Sequence, residues 1–122
     1  MKILVVDDDP ATLLVLSLAL RKTGCFEVDV AGSGVEAVTC ARRRKHDAIL
    51  LDAVMHDLDG TDVLRQLRAD PATDAIPVIF HTAKSEPSEV RRFVSLGAAG
   101  VIRKPSDPAE LAAEIKKILH RR

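Results

Sequence analysis

Asp7, Asp8, Asp52, Thr82 and Lys104 are residues whose types suit one another chemically. Three carboxylates brought together repel unless a proton or a cation offsets their charge. A set of oxygen donors without His or Cys suits a hard dication, Mg²⁺ or Mn²⁺. Such a site, with a hydroxyl and an ammonium nearby, is suited to receiving a phosphoryl group. The phosphoryl oxygens would be neutralised by Lys104 and the dication, and Thr82 would donate a hydrogen bond. An oxygen of Asp52 would attack phosphorus in line. Taken singly, each residue has a plainer use. A strand-terminal Asp is commonly a helix cap, and Asp9, directly before Pro10, is read as one.

The five residues act together only if the chain delivers them to one place, and the apolar pattern does so. Ile3–Val6 is a short aliphatic run that stops at Asp7, as a buried parallel strand would. Leu13, Leu16 and Leu20 follow at helical spacing, with Gly24 closing that helix. FEVDVA (26–31) alternates like an edge strand, and Ser33 with Glu36 forms a capping box for a second helix. That helix runs out in RRRK (42–45), read as a solvated end favoured by the helix dipole. AILL (48–51) is a third strand ending at Asp52. PVIFHT (77–82) is a fourth and GVIRK (100–104) a fifth. Helices are expected around Val63–Leu67, around Val90–Leu96 and from Asp107 onward, the last with Leu111, Ile115, Ile118 and Leu119 on one stripe.

Five strands alternating with five helices predict an α/β, flavodoxin-like (βα)5 three-layer sandwich with a parallel sheet of order 2-1-3-4-5. In that order strands 1 and 3 are neighbours, and the carboxyl edge above them is the switch point where ligands bind. The candidate residues all follow strands at that edge. The whole of 1–122 is read as one domain, since 122 residues leave no room for a second core.

Composition removes several classes. Lys plus Arg and Asp plus Glu both number 18, so the chain is formally neutral; with 3 Phe and no Trp or Tyr it has little with which to hold nucleic acid. The uncharged stretch from Pro10 to Leu20 is about half a bilayer span. The N-terminal apolar run is cut short by three aspartates, so no export is implied and a cytoplasmic location is expected. Cys25 and Cys40 have neither disulfide-framework nor zinc-knuckle spacing and are read as fillers of apolar space.

In ILVVDD (3–8), LLDAVMHDLDG (50–60), VIFHTA (78–83), LGAAGVIRKP (96–105) and the closing amphipathic helix, the chain resembles the receiver domain of two-component response regulators. The resemblance covers essentially the whole chain. It implies that Asp52 is the phosphoacceptor and that Asp8, Asp52 and the backbone carbonyl of Val54 bind Mg²⁺, with Asp7 acting largely through water. It implies that Thr82 is the switch hydroxyl, that Lys104 is the phosphoryl-binding lysine and that the Lys104–Pro105 bond is cis. The implied donor is a sensor histidine kinase or a histidine phosphotransfer protein. The implied response is a changed surface around helix 4, strand 5 and helix 5, where Arg91, Arg92 and Arg103 lie. The output partner or effector domain is not named by the sequence, and a phosphorylation-dependent homodimer is left open.

The chain also departs from the family pattern. His56 stands where the family usually has Pro after Met, and is read as an exposed loop imidazole, the alternative being that it approaches the phosphoryl group and changes its lifetime. Val101 replaces the usual aromatic partner of the switch hydroxyl, and Ser106 replaces an apolar residue after Lys-Pro. Val54 and Lys84 flank the site; an apolar residue at 54 predicts slow-to-moderate loss of the phosphoryl group, and the alternative reading of Lys84 is a contact with that group. His81 is read as a packed or capping side chain. DLDGT (57–61) matches the nucleophile motif of haloacid-dehalogenase-type phosphatases, but five residues separate it from the strand end its chemistry needs. A flavin domain would need a phosphate-holding loop where DDDP stands. A receiver-like interaction module that is never phosphorylated remains the alternative.

Overall fold

A computed structural model describes residues 1–121; Arg122 lies outside the described residues. The elements alternate strictly: β1 (Lys2–Val6), α1 (Pro10–Lys22), β2 (Glu27–Ala31), α2 (Gly34–Arg43), β3 (Ala48–Leu51), α3 (Gly60–Ala69), β4 (Val78–Thr82), α4 (Pro87–Ser95), β5 (Gly100–Arg103) and α5 (Pro108–His120). All strand pairs are parallel, in the order β2-β1-β3-β4-β5. This is the expected flavodoxin-like architecture.

Ile3–Val6 of β1 and all of β3 are aliphatic, and β4 is buried from end to end, because both faces of the sheet are covered. Leu4, Val6, Ile49, Leu51, Val78 and Phe80 face a core closed by α2, α3 and α4, while Ile3, Val5, Leu50, Ile79 and Ile102 face one closed by α1 and α5. Phe80 stacks on Phe93 of α4 with ring centroids 4.4 Å apart. Among the described residues no helix is long and apolar enough to cross a membrane.

The caps explain where the helices start. Asp9 accepts from the Thr12 N–H ahead of Pro10, as its sequence position predicts. Ser33 caps α2 by accepting from the Glu36 N–H, but the Glu36 carboxylate reaches back to the Gly32 N–H rather than to Ser33. Asp57 adds a cap from a distance, its two carboxylate oxygens accepting from the Gly34 and Val35 N–H groups at 3.0 and 3.1 Å.

Gly60 opens α3 directly beneath the end of β3. A Cβ there would lie 2.6 Å from the Asp52 carbonyl oxygen, 2.7 Å from the Phe80 ring and 2.8 Å from the Ala53 Cα. None of these atoms is the free end of a flexible chain, so Gly60→Ala is expected to cost about 1–3 kcal/mol by overpacking. Urea unfolding checks this, and an unchanged midpoint would show that α3 can shift without consequence.

Cys25 is exposed, in the turn after α1, and does not fill apolar space. The turn brings its carbonyl to the Met1 ammonium and its Sγ to within 2.9 Å of Lys116 Nζ, so it sits among polar groups at the rim of the sheet. Cys40 is half-buried and packs against the core on the α2 side, as expected.

Candidate functional site

The sheet register assembles the site. Val6 pairs with Leu51, and the Asp52 N–H donates to the Val6 carbonyl at 3.0 Å, which sets Asp7 and Asp8 beside Asp52. Phe80 pairs with Leu51, so Thr82 stands at the same edge. The Lys104 N–H donates to the Thr82 carbonyl at 2.9 Å. Oxygens of Asp7, Asp8 and Asp52 lie within 4.8 Å of one another. All five residues singled out by type therefore stand at the carboxyl edge of four strands.

Lys104 joins the group electrostatically. Its Nζ lies 2.7 Å from Asp7 Oδ2 and 3.3 Å from Asp52 Oδ2, with Asp7 only 2 % exposed. Burial disfavours the ammonium, but the bonds and charges of Asp7 and Asp52 outweigh it, and the Lys104 pKa is raised. Asp52 goes the opposite way for a carboxylate with a lysine partner. Burial raises its pKa more than the Val54 N–H and Lys104 lower it, and the charge of Asp7 adds to the rise. A carboxylate that is costly to keep charged responds strongly to a cation beside it.

The donor chemistry fits a hard dication: the three groups that converge here are all carboxylates, with the His56 imidazole against Asp8 Oδ2 at their margin. Asp7 is already engaged at both oxygens, Oδ1 by the Asp9 N–H at 2.9 Å and Oδ2 by Lys104. This suits contact through water rather than direct ligation. Thr82 is buried, and its hydroxyl accepts from the Lys84 N–H at 3.0 Å, leaving its own proton to donate. The Val54 N–H donates to Asp52 Oδ1 at 3.2 Å, while the Val54 side chain faces solvent. The Lys104–Pro105 peptide is cis, as expected.

His56 is exposed, as read from the sequence, but it is not only that. Its ring Nδ1 and its backbone N–H both meet Asp8 Oδ2, at 2.5 and 3.0 Å. Burial raises the Asp8 pKa, but these contacts and the nearby imidazole outweigh that and lower it. A contact spanning 48 residues between two loops leaves no periodic trace in the sequence. His81 is buried, with Nε2 2.9 Å from the Ser106 hydroxyl, so Ser106 anchors the segment that carries Lys104. Val101 is half-buried against the α4-side core, leaving no aromatic ring at that position.

A doubly wound sheet with three carboxylates, a hydroxyl and an ammonium at its switch point is the arrangement of a phosphoryl-accepting signalling domain. The family of response regulator receiver domains matches residues 3–116, and the chain belongs to it. It is 38% identical over 120 residues to the DNA-binding response regulator MtrA of Mycolicibacterium smegmatis, covering 98% of this chain and 51% of that protein. The chain thus spans about half the length of the curated relatives it matches. Among solved structures, chemotaxis protein CheY4 of Vibrio cholerae aligns with a TM-score of 0.89 at 26% identity, covering 96% of this chain and 97% of that one. The receiver domain of a sensor histidine kinase from Pseudomonas aeruginosa, which has a magnesium ion coordinated in its active-site cleft, aligns with a TM-score of 0.83 at 32% identity, covering 98% and 94%.

Proposed function

We propose that the chain is the phosphoryl-accepting switch of a two-component or phosphorelay pathway, with Asp52 as the acceptor. The carrying observation is the Lys104 ammonium held between Asp7 and Asp52 at the switch point of the sheet. Asp8, Asp52 and the Val54 carbonyl would hold Mg²⁺, or chemically Mn²⁺, with Asp7 acting through water; bound there, the ion neutralises phosphoryl oxygens and fixes their orientation. The donor is a phosphohistidine of a sensor kinase or phosphotransfer protein. An Asp52 oxygen attacks phosphorus, the P–N bond breaks, and its electron pair leaves with the imidazole. Lys104 then exchanges a carboxylate partner for the phosphoryl oxygens, and Thr82 donates its hydroxyl proton to one of them.

The new charge biases the surface formed by α4, β5 and α5 toward a second conformation, which an output partner or effector domain reads. Residues 1–122 are read as one cytoplasmic receiver domain, with dimerisation on phosphorylation as a further proposal. DNA binding in the name of MtrA belongs to a protein about twice as long, and no direct nucleic-acid contact is proposed for these 122 residues.

Acetyl phosphate with Mg²⁺, read by intact mass, tests the reading. One hydroxylamine-labile adduct is expected, absent from Asp52→Ala and from the metal-free sample. A folded, Mg²⁺-bound protein that takes no adduct from acetyl phosphate or a histidine kinase panel would favour the phosphorylation-independent module.

Loss of the adduct is expected to be slow to moderate. The Val54 side chain offers no polar group to orient an attacking water, and the Lys84 backbone N–H is engaged by the Thr82 hydroxyl. The decay of purified phosphoprotein measures this, and rapid decay would contradict it.

A further inference from the structure

A second group of metal-ligating side chains lies away from the phosphoryl site, toward the amino end of the sheet. Asp29 of β2, Cys40 of α2 and His46 of the α2–β3 loop each present one ligand atom, all within 4.8 Å of one another. The His46 ring nitrogen Nε2 is 2.8 Å from Asp29 Oδ2. We propose that Cys40, His46 and Asp29 bind a borderline dication of the Zn²⁺ class.

The donor types select the ion. Thiolate, imidazole and carboxylate are the mixed S, N and O set that Zn²⁺ takes tetrahedrally, whereas Mg²⁺ prefers oxygen alone. Tetrahedral Zn²⁺ places its ligand atoms about 3.3–3.6 Å apart, so the group closes on the ion with shifts on the order of 1 Å. Asp29 and Cys40 line a cavity of about 430 Å³ that also contains Glu36, so the fourth position is open to water or to that carboxylate.

The imidazole is fixed in place by burial, with Nε2 turned to Asp29. The His46 side chain is 0% exposed, and its Nδ1 has no partner among the described residues. A buried ring nitrogen left unpaired is unfavourable, so the ring is held here without full hydrogen-bond satisfaction.

Two cations face the same carboxylate: Lys2 Nζ at 3.9 Å and Arg44 Nη1 at 3.4 Å from Asp29 oxygens. Both end flexible chains, with 32% and 62% of their side chains exposed, and can turn to solvent when an ion takes their place. Cys40 must lose its proton to water on binding, and the resulting thiolate adds the negative charge that a dication requires.

Cobalt(II) titration of the Cys25→Ser chain in excess Mg²⁺ tests the site. The substitution removes the exposed thiol, and Mg²⁺ occupies the acidic site at the other edge. One equivalent of Co²⁺ should release a proton and give a thiolate-to-cobalt charge-transfer band with tetrahedral visible absorption, and one equivalent of Zn²⁺ should displace the Co²⁺ with no further proton release. Adding Cys40→Ser should abolish the band. His46→Asn should weaken binding by more than the roughly 10- to 100-fold that loss of a mere outer-shell partner costs. Zn²⁺ should raise the melting temperature of the parent but not of the Cys40→Ser variant, which keeps the test decisive if the buried His46 substitution unfolds the chain. Octahedral Co²⁺ absorption alone, a band that persists without Cys40, or equal Zn²⁺ stabilisation with and without Cys40 would each overturn the proposal.

Discussion

Lys104→Met is expected to lose about 3 kcal/mol of stability at pH 7 without divalent ions, the lower end for breaking a buried ion pair because Lys104 is about a quarter exposed. The ammonium is the charge that lets Asp7 and Asp52 lie buried side by side. Without it, two carboxylates face each other in a poorly solvated site, and one is driven to take a proton. Asp52 is the candidate, because burial already raises its pKa and Asp7 pushes in the same direction. A carboxyl raised in the folded state contributes stability that is fully present below its unfolded pKa and is lost as pH rises through the folded one. The variant should therefore recover toward wild type as pH falls from 7 toward 4. Millimolar Mg²⁺ should also restore it at pH 7, since binding only the folded state stabilises that state. Urea unfolding with and without Mg²⁺ measures both effects. A variant as stable as wild type at pH 7 without Mg²⁺ would show that Lys104 is not what compensates the two carboxylates.

What was legible in the sequence had a period or a boundary. AILL followed by Asp52, and GVIR followed by Lys104, announce buried strands ending in charge, and parallel order then places the charges together. Asp9 and Ser33 were readable as caps because capping acts within three residues. The unread part consists of contacts between loops distant in sequence. His56 reaches Asp8, Asp57 caps α2 from 22–23 residues away, and His81 meets Ser106 across 25. The exposure of Cys25 is decided by a turn, which its residue type does not reveal. Cys40 looked inert because its partners, Asp29 and His46, come from a strand and a loop and not from a zinc-knuckle spacing.

Acid should expose a liability one residue before Thr82. Burial, and secondarily the charge of Lys104, push the His81 pKa from 6.5 down to about 4, against an opposing pull from Asp7. The cause is structural: Nε2 has only the Ser106 hydroxyl, and Nδ1 is buried with no partner among the described residues. A second ring proton would find no acceptor and would lie near an ammonium. The sign follows from linkage. The unfolded chain takes the proton first, so the stability is fully present above pH 6.5 and is lost as pH falls toward about 4. The full loss corresponds to about 3 kcal/mol. This slope is opposite to that of Asp52 in Lys104→Met, so one pH series separates the two effects. Acid unfolding also draws on carboxylates such as Asp29, Asp57 and Asp70, whose pKa values are lowered by their partners. His81→Asn isolates the imidazole, because subtracting the variant's pH profile cancels the carboxylates. Wild type should lose about 2–3 kcal/mol more than the variant between pH 7 and pH 4.5. Parallel profiles would mean that the ring finds a proton acceptor when charged. Because His81 anchors Ser106, two residues after Lys104, its protonation should also loosen the lysine that is proposed to hold the phosphoryl group.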